Sequence, residues 1–107
     1  MENVKFQQSL NEQGQITEIE IGGNLVLEHA QQLKIKLVEA VVNLGESVRI
    51  ILAEGSEIDL SCIQIIVAII KRMDELDVVY HFIWNLDEDQ KSLLKHVGLS
   101  SELFMHN

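Results

Sequence analysis

The chain has 107 residues, 47% of them hydrophobic, which suits one folded domain spanning residues 1–107 with a core that needs neither disulfide nor metal. Its formal net charge of -9 repels phosphate backbones, and the basic residues are scattered, so nucleic acid is a poor partner. Cys62 is the only cysteine, which excludes an intramolecular disulfide and points to a reducing, cytoplasmic setting.

Two alternating segments come first. Val4, Phe6, Gln8 and Leu10 share one phase; Ile16, Ile19 and Ile21 follow, with Glu18 and Glu20 interleaved. Asn11-Glu12-Gln13-Gly14 between them supplies a turn, which predicts an antiparallel hairpin. Leu33, Leu37, Val41 and Leu44 then recur at helical spacing, joined by Ala30 and Ala40, and predict a helix over Glu28–Leu44 with Gly45 as its cap. Ser47–Ala53 reads as a strand, and its Ile50-Ile51-Leu52 run suits a central strand covered on both faces. Glu54-Gly55-Ser56-Glu57 reads as a polar loop.

A second helix is expected over Ser61–Leu76 and a buried strand over Val78–Trp84. Asp87-Glu88-Asp89 opens a third helix ending near Gly98, since acidic residues complement the N-terminal dipole. Phe104 and Met105 suggest a last short strand. The longest nearly apolar run, Cys62 to Ile70, is broken by Gln64 and is far shorter than the ~20 residues a membrane span needs. No signal peptide is visible in Met1–Lys5. Alternating helices and strands after a hairpin predict an α/β fold: a mixed central sheet, hairpin plus parallel strands, packed against about three to four helices.

No Walker loop, GxGxxG, HExxH or CxxC occurs. His29, His81, His96 and His106 are too dispersed for metal-ligand spacing, so neither cofactor nor metal is expected, and the chain does not read as an enzyme. Cys62, near a helix N-terminus, reads as a buried inert thiol rather than a nucleophile.

The informative segment is Ile58-Asp59-Leu60-Ser61-Cys62-Ile63-Gln64. Asp59 can cap the second helix, with Ser61 in its first turn. Along that helix the apolar arc spans ~200° at ~100° per residue, wider than a half-exposed helix requires. Cys62, Ile66, Ile69, Ile70 and Met73 are expected to face the core. Ser61, Ile65, Ala68 and Arg72 form a row down the surface, a docking face for a protein partner or a second copy of the chain. The alternative is a helix more deeply covered by the rest of the domain.

This segment resembles the signature of the STAS domains, the anti-sigma factor antagonist family: Asp-Ser-Ser/Thr-Gly-Leu opening a helix, here Asp59-Leu60-Ser61-Cys62-Ile63. Gly23-Asn24-Leu25 with Ala30 and Leu33 is similar to the family's entry into its first helix. Leu93-Leu94-Lys95-His96-Val97-Gly98-Leu99 with Phe104 is similar to its C-terminal ending. The resemblance implies a STAS fold and a regulatory protein partner, a serine kinase that is also an anti-sigma factor. It makes Ser61 the phosphorylation candidate; the signature segment and the surface row together give Asp59, Leu60, Ser61, Cys62, Ile65, Ala68 and Arg72 as the expected partner-binding residues. The chain departs from the pattern at Cys62, where Gly is usual, at Leu60, where Ser is usual, and at Ala53, where many members carry Asp. The Asp-Leu-Ser-Cys variant is also similar to STAS proteins of chemosensory or phospholipid-transport complexes, which implies a constitutive adaptor as the alternative. A small nucleotide-binding protein is the third reading.

Overall fold

The structure, a computed structural model, describes residues 4–84 and 87–96. Strand β1, Val4–Leu10, pairs antiparallel with β2, Ile16–Leu25, in the expected hairpin. A 3₁₀ turn over Leu27–His29 leads into α1, Ala30–Val41. Then come β3, Leu44–Leu52; the two-residue β4, Glu57–Ile58; α2, Leu60–Glu75; β5, Val79–Ile83; and α3, Glu88–His96. The main sheet runs β1-β2-β3-β5, and β4 pairs with the end of β2. The β2–β3 and β3–β5 pairs are parallel, as crossovers through α1 and α2 require. The expected terminal strand at Phe104 and Met105 lies outside the described residues.

Strand alternation sets the core. Ile19 and Ile21 of β2, Val48, Ile50 and Leu52 of β3, and Phe82 of β5 are buried on one face. Leu33, Leu37 and Ala40 of α1 and Cys62, Ile63, Ile66, Ile70 and Met73 of α2 complete the same cluster. The other face carries Glu18, Glu20, Arg49, Ile51, His81 and Ile83, none of them fully buried. Register partners Glu18 and Arg49 form an ion pair there at 3.1 Å. Among the described residues β3 is therefore covered on one face, not two. The apolar Ile51 stands opposite Glu20 of β2, and a second buried layer would have to desolvate that carboxylate.

Gly45 does not cap α1. It lies buried inside β3, and a Cβ there would sit 3.1 Å from the Ile16 carbonyl oxygen, so the glycine admits the close approach of β2 to β3. The helix stops at Val41, three residues earlier than its periodicity suggests, because Leu44 already pairs with Ile16. Gly22 is tighter still: an added Cβ would meet the Ala53 Cβ and the Ser56 Oγ, each at 2.7 Å. Gly22→Ala is expected to cost about 1–3 kcal/mol, the usual penalty of overpacking, and to displace the Ala53–Ser56 turn. Urea denaturation measures the first effect, and backbone chemical shifts of residues 53–58 report the second.

Candidate functional site

The site forms where the C-terminal ends of β2 and β3 meet the start of α2. Asp59 is the N-cap of α2, with extended backbone and a carboxylate that accepts from Cys62 N–H at 3.3 Å. The same carboxylate accepts from Leu27 N–H at 2.9 Å, so one side chain ties the start of α2 to the 3₁₀ turn before α1. Ser61 Oγ donates to Asp59 Oδ1 at 2.5 Å. Burial by itself would raise the Asp59 carboxyl. The hydrogen bonds from Ser61 Oγ and from the Leu27, Cys62 and Ser61 N–H groups outweigh it and hold the carboxyl below its ordinary value of 3.8.

A sign follows for pH. The stability that ionised Asp59 contributes is fully present above pH 3.8, its ordinary value, and is lost as pH falls through the lower folded-state value. Wild type is therefore expected to be more stable than Asp59→Asn at pH 7, with the gap closing below about pH 4. Denaturant titrations of both proteins across that range check it.

Cys62 is fully buried at 0% exposure, its Sγ against the Val26 carbonyl oxygen at 3.7 Å. Burial first, then the negative charge of Asp59, pushes its thiol up to about 11, against a smaller lowering by the Ser61 hydrogen bond. It is an inert thiol under the site. Its placement among partner-contacting residues is corrected accordingly, since a side chain with no exposed surface cannot touch a partner.

The remaining row residues separate. Leu60 and Ser61 are half-buried, and Ile65 is half-buried and packed against the core. Ala68 and Arg72 are exposed, and Arg72 pairs with Glu75 at 3.3 Å. Eleven residues beyond Ser61, Arg72 lies ~16 Å along the helix axis, where it lines a groove with the end of α1. The row is thus a site at the N-terminal end of α2 and a separate groove at the other. The core face of α2 is also rotated from expectation: Ile63 is buried, whereas Ile69 is a half-buried margin.

Sequence reasoning missed three contributors. Leu27 is 72% exposed although apolar, and its N–H is one of those that donate to Asp59. Ser56 Oγ donates to the Ala53 carbonyl at 2.6 Å and accepts from Gly23 N–H at 3.2 Å, fastening the loop that precedes the cap. His29 Nδ1 lies 2.8 Å from the Asn24 carbonyl oxygen and braces the end of β2. Leu27 shares the phase of buried Leu25, so alternation alone gave no sign that it is exposed.

No family model matches the sequence, and no curated protein matches it in sequence. The order of elements decides the architecture: a hairpin, then parallel strands joined by helices, with a capped helix N-terminus at the sheet's end. The anti-sigma factor antagonist SpoIIAA in its unphosphorylated form superposes with a TM-score of 0.63 at 15% identity, over 89% of this chain and 82% of that one. The chain has the STAS fold. Asp59–Ile63 thus opens a helix within the architecture that the signature implied. Among the described residues no three His, Cys, Asp or Glu side chains converge as a metal site, and no helix is long and apolar enough to cross a membrane.

Proposed function

We propose that this STAS-fold protein is a non-catalytic regulatory module that docks to a protein partner, a serine kinase acting as an anti-sigma factor, through the first turn of α2. Phosphorylation of Ser61 is the off-switch. The observation that carries this reading is the half-exposed Ser61 hydroxyl, held by the capping carboxylate at the helix N-terminus. Exposed Leu27 and half-buried Leu60 supply apolar contact beside it. Glu28, next to Leu27, and Glu54 and Glu57, in the segment before the cap, are all exposed, so the rim is already acidic and a phosphoryl group adds like charge to it.

A phosphoryl group would add a charge of about −1.5 to −2. Backbone N–H groups and the helix dipole attract it, but the Asp59 carboxylate repels it. The Ser61–Asp59 hydrogen bond is lost, and the phosphate competes for Cys62 N–H. Phosphorylation would therefore both block docking and weaken the Asp59 cap on α2. Incubation with ATP and the kinase-type anti-sigma factor encoded nearest its gene, followed by phosphosite mapping, tests the switch. Phosphate on Ser61 is expected. Its absence, together with full binding by Ser61→Asp, defeats the proposal.

A second reading, a constitutive adaptor in a chemosensory or phospholipid-transport complex, draws on the apolar rim of Leu27 and Leu60, which binds without modification. It requires that Leu27→Asp abolish partner recovery while Ser61→Ala leaves it intact and no phosphate reaches Ser61.

A further inference from the structure

Helix α1 has a second apolar face. Leu33, Leu37 and Ala40 point into the core, yet Ile35, Val38 and Val42 stand 48%, 51% and 84% exposed. At ~100° per residue Ile35 and Val38, with Val42 just past the helix end as its C-cap in near-helical backbone, share a stripe on the opposite side from the buried set. The spacing 35, 38, 42 is the three-then-four step of a heptad seam. Ile35 and Val42 take the a positions and Val38 the d position between them.

The charges beside this seam select its occupant. Lys34 lies on one flank and Glu39 on the other, at the g and e positions. Neither is in an ion pair among the described residues. When two such helices run parallel, the g residue of one reaches the e residue five positions on in the other. Lys34 of each copy then meets Glu39 of its mate, twice over by symmetry. Turning one helix end for end would instead set Lys34 against Lys34 and Glu39 against Glu39. Beyond Val42 the stripe opens on the groove of about 440 Å³ lined by Val41, Val42, Leu44, Arg72, Leu76 and Val78, which extends the apolar contact.

We propose that two copies of this chain pair through parallel α1 helices, with Ile35, Val38 and Val42 in the seam and Lys34–Glu39 ion pairs on both flanks. This face is separate from Asp59 and Ser61, so pairing and partner docking are independent properties. The net charge of −9 opposes association, and screening within about 8 Å at 0.15 M salt relieves it. Three apolar positions per copy make a weak dimer, with a dissociation constant of about 10–100 µM.

Sedimentation velocity from about 5 to 500 µM, bracketing that range, is expected to show a monomer of 12.2 kDa giving way to twice that mass. Val38→Glu should raise the dissociation constant at least about tenfold, the loss of roughly one buried side chain's worth of contact. Lys34→Glu and Glu39→Lys should each weaken pairing about tenfold through like-charge contacts on both flanks. The double exchange, Lys34→Glu with Glu39→Lys, should restore it. All three positions are exposed, and circular dichroism confirms that each variant is folded. A monomer throughout the range overturns the proposal. So does a dimer indifferent to Val38→Glu, or a double exchange no better than either single change.

Discussion

Ser61→Asp is expected to weaken partner binding about 100-fold, whereas Ser61→Ala stays within about threefold of wild type, because a fixed charge at a docking centre costs several kcal/mol and loss of one hydroxyl does not. The new carboxylate would sit in the first turn of α2, beside a capping carboxylate that Ser61 Oγ now reaches at 2.5 Å. Helix N-termini favour negative charge, so the variant remains folded and its deficit lies in binding. Calorimetric titration of both variants with the kinase-type partner measures it. Equal affinity for the two would remove Ser61 from the interface.

Phe82→Ala is expected to cost about 3–5 kcal/mol, the range for truncating a buried aromatic. Phe82 is 1% exposed and stands on β5 between Tyr80 of the same strand and Trp84 just past its end. The ring centroids are 5.6 and 5.3 Å away in edge-to-face geometry. Such pairs add about 0.5–1.5 kcal/mol beyond area burial. A domain of this kind is stable by only ~5–15 kcal/mol in all, so the change consumes a large share. Urea denaturation gives the value, and a loss below about 1 kcal/mol would contradict the packing described.

Phe82 also shows where the sequence was readable. Val78–Trp84 is apolar enough to be recognised as a strand whatever surrounds it. The hairpin, β3 and α2 were legible for the same reason: long periodic segments carry their own signal. β4 was not, because two residues have no period. It exists through its pairing of Asn24 with Glu57 and Leu25 with Ile58, a tertiary fact. Glu28 and His29 were read as the start of α1 rather than as part of a separate 3₁₀ turn, and α1 as longer than it is, because amphipathic spacing continues into Leu44 although that residue belongs to β3. Ile50-Ile51-Leu52 suggested two covered faces, since an apolar triplet does not reveal that Ile51, on the outer face, stands between Glu20 and Ile83.

At the site, the cap and the first-turn hydroxyl were legible because Asp and Ser act locally there. The reach of Asp59 to Leu27, 32 residues away in the chain, was not, since it depends on β2 and β4 pairing side by side. The row from Ser61 to Arg72 was drawn from helical geometry alone. The groove at its far end divides it, because only the folded chain brings Val41, Val42 and Leu44 against Arg72.

Hydrogen exchange of the free and partner-bound protein tests docking at the first turn of α2 most directly. Partner binding is predicted to protect the amides of Leu27–His29 and Leu60–Ile65 and to leave β1 unchanged, with the protection lost once Ser61 is phosphorylated. Protection confined to other elements, with the start of α2 exchanging as in the free protein, would contradict the account.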